Sequence, residues 1–242
     1  MKRTLLAWSS GKDSYWCLHR LRLSNEYQVV ALLTSFNSEA DRVAMHAVRR
    51  SLVHQQANAV GLPLWEVELP WPCSNEQYES AMGLACDRAL QAGIECVAFG
   101  DLFLRDIREY REKQLRGTGL QPIFPLWNLP TDVLAQDMIA AGVRAKITCV
   151  DTRQLAPEFL GREFDETFLK DLPCAVDRCG ENGEFHSFVY RGPAFSRGIE
   201  IDTGDVLLRD GFMSGSRNAL RSFDTTLSYE ERNDNWFNVE SA

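Results

Sequence analysis

Three short clusters in this chain combine residue types and spacings that chemistry uses, and the first is Ser9-Ser10-Gly11-Lys12-Asp13-Ser14. It follows the apolar run Thr4 to Trp8 and precedes a helical pattern from Asp13 to Leu23. A small-residue loop delivered by a strand onto a helix N-terminus is a phosphate site, because first-turn N–H groups lack intrahelical partners and the helix dipole favours negative charge there. Gly11 lets the backbone approach an anion, Ser9, Ser10 and Ser14 add hydroxyl donors, and Lys12 adds a mobile positive charge. The second cluster is Gly100-Asp101, where a carboxylate at a strand end could hold Mg²⁺ or position a substrate amine. Capping the next helix is the plainer use of the same aspartate. The third is Cys179-Gly180-Glu181-Asn182-Gly183-Glu184-Phe185-His186. Its glycines bracket a turn, after which Glu184 and His186 share one face of a strand and could take a proton from an amine or coordinate a cation. A glycine turn opening an edge strand explains the same residues without chemistry. Cys174 and Cys179 with one nearby histidine match no standard zinc spacing.

The elements that must position these clusters alternate. Strands are expected at Leu5 to Trp8, Gln28 to Thr34, Leu64 to Leu69, Cys96 to Phe99, Pro122 to Leu126 and Val143 to Val150. Between them come helices at Asp13 to Leu23, Val43 to Val60, Asn75 to Gln91, Leu104 to Leu115, and Thr131 to Ala141 capped by Thr131. Repeated β-α units of this length imply a parallel sheet with helices on both faces. Ligands in such sheets sit beyond the carboxyl ends of the strands, where Ser9 to Ser14, Thr34 to Asn37 and Gly100-Asp101 all fall. After Asp151 the pattern becomes α+β: a helix at Glu163 to Leu172, a strand at Phe185 to Tyr190, and two short strands within Ile199 to Leu208. The division expected is a nucleotide-binding domain over 1–130, a substrate-binding lobe over 131–213, and a polar tail over 214–242 whose composition allows partial disorder. His46 and His54 lie eight apart on one expected helix, with His46 near enough to its start to look into the cleft.

Composition narrows the classes. At 242 residues and 45% hydrophobic the chain can bury a sizeable core, and the net charge of −8 without a basic run disfavours a nucleic-acid partner. Seven cysteines, an odd number without a Cys-x-x-Cys pair, argue for reduced thiols and a cytoplasmic setting. The apolar stretch after Met1-Lys2-Arg3 is about five residues, short of the roughly 7 needed for a signal peptide. No window approaches the roughly 18 apolar residues of a membrane span.

Walker A does not fit the hexapeptide, because Lys12 is followed by Asp13 and no glycine precedes Gly11. The loop instead resembles the Ser-Gly-Gly-x-Asp-Ser pyrophosphate loop of the N-type ATP pyrophosphatases, with Ser10 in place of a glycine and so less freedom for positive φ there. With Phe99-Gly100-Asp101, Arg105, Arg108, Arg111 and Glu112, the block Phe124-Pro125-Leu126-Trp127, and the segment Cys179 to His186, the chain resembles the diphthine-ammonia ligase family, in the right order over roughly residues 4 to 190. The chain's length matches that family's short, bacterial-type branch.

The resemblance implies an α/β fold with a parallel Rossmann-like sheet of the adenine nucleotide alpha hydrolase (HUP) type and a smaller C-terminal α+β lobe. It implies an AMP- and pyrophosphate-forming ligase that joins ammonia to a carboxylate, with ATP and Mg²⁺ as cofactors. Ser9, Ser10, Gly11, Lys12, Asp13, Ser14, Thr34, Phe36, Gly100 and Asp101 would bind the nucleotide, Asp13 and Asp101 the metal, and Lys12, Asp13, Glu181, Glu184 and His186 would be catalytic. The acceptor carboxylate could be a protein side chain such as diphthine, and a homo-oligomer stays open. Two other functions compete: a tRNA-modifying enzyme with the same loop type, disfavoured by the acidic charge, and a non-catalytic adenine-nucleotide-binding regulator.

Overall fold

The computed structural model describes residues 1–43, 48–211 and 220–228, with side chains described as far as residue 202. Apolar residues at successive positions of the first strand explain its place. In β1 (Lys2–Ala7), Leu5 and Leu6 are both buried, yet they enter different cores on the two faces of the sheet. The same alternation runs along β2 (Tyr27–Asn37), where Leu32 and Phe36 face one core and Ala31 and Leu33 the other. β2 pairs in parallel with β1 on one edge and with β4 (Leu64–Leu69) on the other, while β5 (Cys96–Ala98) and β6 (Gln121–Ile123) continue beyond β1, also in parallel. The short β3 (Arg42–Val43) runs antiparallel to the end of β2.

Helices α1 (Lys12–Leu23), α2 (Arg50–Val60), α3 (Asn75–Gln91), α4 (Arg105–Leu115) and α5 (Thr131–Ala140) connect or follow these strands. α3 starts with a capping box: Ser74 Oγ accepts from Gln77 N at 3.2 Å and Gln77 Oε1 accepts from Ser74 N at 2.8 Å. α2 stops at Gly61 in the left-handed conformation. Among the described residues no helix is long and apolar enough to cross a membrane.

The last strand of the expected series belongs elsewhere. β7 (Arg144–Asp151) does not extend the parallel sheet but lies in a second, antiparallel sheet in the order β8-β7-β10-β9, with β8 at Phe185–Arg191, β9 at Asp202–Gly211 and β10 at Leu220–Ser228. A nearly continuous apolar run fixes burial on both faces but not the sheet that a strand joins. β9 is one strand, not two about Gly204, and β10 falls inside the stretch read as a polar tail; antiparallel pairing with β9 satisfies its backbone whatever its side chains. The helix expected over Val43 to Val60 begins only at Arg50, Val43 being in β3, and His46 lies outside the described residues. A short helix, α6 (Glu166–Asp171), is capped by Asp165, which accepts from Phe168 N. Ala145, Ile147, Phe185 and Phe188 of the second sheet share one core with Leu6, Leu18 and Leu32, so the C-terminal lobe rests on the α1 side of the parallel sheet.

Candidate active site

The hexapeptide is stitched together by its own serines. Trp8 N donates to Leu33 O at 2.8 Å, Thr34 Oγ1 donates to Trp8 O at 2.7 Å, and the chain then leaves the sheet. Ser14 Oγ donates to Gly11 O at 3.0 Å and lies 3.2 Å from Ser9 Oγ, while Gly11 N donates to Ser9 Oγ at 3.4 Å. Gly11 is the N-cap of α1 without a side-chain cap, so the first-turn donors of the helix open on the loop. Ser10 does take positive φ, +70°, despite its side chain. Its carbonyl accepts from Val189 N at 3.1 Å and from Gln56 Nε2 at 3.0 Å, which offsets the conformational cost.

Lys12 is not the mobile surface cation that the sequence suggests. It is 2% exposed, its ammonium pairs with Asp13 Oδ2 at 2.9 Å and donates to the Cys179 carbonyl, and it lies over the rings of Phe185 and Phe164. Burial works against its charge, but Asp13 and other nearby anionic groups outweigh that and raise its pKa above the ordinary lysine range.

Three carboxylates converge in front of the loop. Gly100 packs against the first turn of α1 so closely that a Cβ there would sit 3.0 Å from the Asp13 carbonyl carbon and 3.1 Å from Ser14 N. That contact fixes Asp101 beside Asp13 and explains why a glycine follows β5 at position 100. Asp101 does not cap the next helix, whose N-cap is Leu104. Glu181 reaches across from the C-terminal lobe, and its Oε1 accepts from Leu102 N at 2.7 Å and Phe103 N at 3.4 Å. Burial raises the pKa of all three: Asp13 with a push from Asp177, Asp101 with a push from Asp13, and Glu181 to about 7 with a push from Asp13. Asp13 Oδ1 and Asp101 Oδ2 are buried with no hydrogen bond, the latter 3.8 Å from Arg111 Nε. A pocket that disfavours its own negative charges and leaves two carboxylate oxygens unpartnered fits a hard cation. Among the described residues no group of three or more His, Cys, Asp or Glu is arranged to hold a metal; Asp13 and Asp101 offer the one or two carboxylates through which Mg²⁺ is typically bound beside substrate phosphates and water.

The other half of the third cluster has a different task. Asp177 Oδ1 accepts from Cys179 N at 2.9 Å and Glu181 N at 3.1 Å, and its Oδ2 accepts from Thr131 Oγ1 at 2.5 Å. The Thr131 hydroxyl is thereby spent on the turn, and the N-cap of α5 is Pro130. Glu184, 2% exposed, accepts from Asp177 N at 2.9 Å and Asn182 Nδ2 at 3.0 Å through Oε1, while its Oε2 is buried without a partner. The face of β8 that meets the loop carries Phe185, Ser187 and Val189: Lys12 N donates to Ser187 Oγ at 3.3 Å. Glu184 lies just before β8, and His186 within it pairs with Cys149 of β7. Burial and the charge of Lys12 push His186 down to about 4, so it is neutral at pH 7.

Two nucleotide-binding candidates have side chains turned inward. Phe36 is fully buried beneath the Arg50 guanidinium, 4.4 Å from its ring, and Thr34 is 2% exposed with its hydroxyl on Trp8 O. Ser187 and Gln56, both in contact with the loop, were missed; each lies far away in sequence and carries no motif.

A parallel sheet with a serine-rich loop at its carboxyl edge, two carboxylates beside it and a second lobe folded over them define a Rossmann-like α/β protein of the HUP type. The chain belongs to the diphthamide synthase family, whose N-terminal domain matches residues 1–122 and whose C-terminal domain matches residues 130–218. It is similar to proteins named diphthine–ammonia ligase: 27% identical to that of Rattus norvegicus over 224 residues, covering 83% of each chain, and 26% identical to that of Homo sapiens at the same coverage. The Schizosaccharomyces pombe protein of that name is 23% identical over 217 residues, 82% of this chain and 36% of that one.

Proposed function

We propose that this protein is an ATP-dependent, AMP-forming ligase that joins ammonia to a carboxylate, with diphthine on a protein side chain as the acceptor class that the relatives' name suggests. The observation that carries this is that Glu181, from the C-terminal lobe, is held by Leu102 N and Phe103 N just past Asp101, near enough to Asp13 to feel its charge. An acceptor carboxylate oxygen attacks the α-phosphorus of ATP, the bond to the bridging oxygen breaks, and pyrophosphate leaves. Ammonia then attacks the acyl carbon of the acyl-adenylate, AMP departs, and one proton must be removed from nitrogen.

The Gly11 N–H and the first turn of α1 are placed to stabilise phosphate charge, with the serine hydroxyls holding the loop in shape around them. Lys12 serves from within, neutralising Asp13 and tying the loop to Cys179. Asp13 and Asp101 would hold Mg²⁺, which would screen phosphate charge and draw electron density from the α-phosphorus. Glu181, at about 7, takes the proton from ammonia as the amide forms. Glu184 holds the turn that presents Glu181.

The test is pyrophosphate release from ATP with ammonium and a panel of carboxylates that includes diphthine-bearing elongation factor. Stoichiometric AMP and amide support the ligase. Tight ATP binding with no pyrophosphate for any acceptor would leave the regulator reading instead.

A further inference from the structure

Gln56 is fully buried, an expensive place for a primary amide unless its hydrogen bonds are made. Its Oε1 accepts from Trp8 Nε1 at 2.8 Å, and its Nε2 donates to Ser10 O at 3.0 Å and Val189 O at 2.7 Å. One side chain on α2 thus gathers the end of β1, the loop and β8. The Ser10 carbonyl is held twice, since Val189 N also donates to it.

This matters because Ser10 sits at φ +70°, a region that non-glycine residues rarely occupy. In a trans peptide the C=O and the following N–H point in opposite directions. Pinning the Ser10 carbonyl toward α2 and β8 therefore turns the Gly11 N–H the other way, where it makes only a long 3.4 Å bond to Ser9 Oγ and remains available to a stronger acceptor. We propose that Gln56 is a positioning residue of the loop: its amide holds Ser10 in the left-handed conformation and so aims the Gly11 N–H at a bound phosphate. The proposal rests on the loop being a nucleotide site, as read above.

Direct titration of ATP with Mg²⁺ and no acceptor, followed by calorimetry, tests it. Gln56→Met keeps the length of the side chain and removes its hydrogen bonds, and we expect ATP binding to weaken about ten-fold as the loop relaxes toward negative φ. In a Ser10→Gly background the same change is expected to cost less than about three-fold, because glycine takes positive φ about as readily as negative. Trp8→Phe, which removes only the indole donor that orients the amide, should weaken binding about two-fold and be relieved in the same way; it decides the matter if Gln56→Met does not fold. A residue that merely fills the core predicts equal penalties in both backgrounds. Equal penalties, or unchanged ATP affinity in Gln56→Met, would overturn the proposal while leaving the nucleotide site intact. Failure of the wild-type protein to bind ATP would instead overturn the nucleotide reading, and this proposal with it.

Discussion

Two acidic groups of this protein, only a few residues apart in sequence at their nearest, are built in opposite ways. Asp13, Asp101 and Glu181 face one another across the lobes, with raised pKa values and carboxylate oxygens on the first two that no protein donor satisfies. Asp177 and Glu184 instead hold one turn: Asp177 accepts from Cys179 N and Glu181 N, and Glu184 accepts from Asp177 N although its Oε2 is left without a partner, whereas Glu181 takes its backbone donors, Leu102 N and Phe103 N, from the other lobe. The first group keeps electrostatic strain that a cation and a polyphosphate would relieve; the second spends its charge on holding a turn. Glu181 and Glu184 belong to one short motif, yet one enters the cleft and the other supports it.

The contrast breaks most sharply at Asp13. Asp13→Asn is expected to lower turnover about 10³-fold and to lower the melting temperature as well, since the buried Lys12 ammonium loses its charged partner. Steady-state pyrophosphate release and a thermal melt check both halves. Glu181→Gln is expected to lower kcat for amide formation about 10²-fold while sparing ATP affinity. The wild-type rate is expected to fall as pH drops below about 7, and Glu181→Gln to abolish that fall. Glu184→Ala should do the reverse, losing about 2 kcal/mol of unfolding free energy with turnover per folded molecule falling less than about three-fold. Urea titration beside an activity assay separates the two; a large loss of kcat in a stable Glu184→Ala protein would erase the distinction between the groups.

The smallest effect is on stability against pH. Glu181 titrates near 7 when folded and near 4.5 when unfolded, so its contribution is full below the lower value and is lost as pH rises through the higher one. His186 moves from 6.5 to about 4, so folding favours its neutral form and its contribution is lost as pH falls toward 4. Glu181→Gln should therefore melt above the wild type at pH 8 and converge with it near pH 4.5, and His186→Gln should resist acid unfolding better than the wild type. Parallel melting curves in all three proteins would show that neither group is buried as described.

The loop and the strand-end aspartate were legible because both are local signals: a strand, small residues and a helix start within a dozen positions, and a carboxylate just past β5. What Lys12 does was not legible, because its partner is a carbonyl at Cys179, 167 positions away. Alternation along β8 could not say which of its faces meets the loop, and it is Ser187 that reaches Lys12 N. β7 looked like a further parallel strand because its apolar run satisfies either sheet, and pairing with β8 and β10 decided the matter. Gln56 resembles any helical glutamine until Trp8, Ser10 and Val189 are brought around it.

The central claim is that an acceptor carboxylate attacks the α-phosphorus of ATP at this loop. Turnover of an acceptor whose carboxylate carries ¹⁸O, followed by mass spectrometry of the nucleotide products, tests it most directly. The account predicts AMP containing one ¹⁸O atom, with unlabelled pyrophosphate. ¹⁸O in inorganic phosphate together with ADP, or AMP free of label, would contradict it.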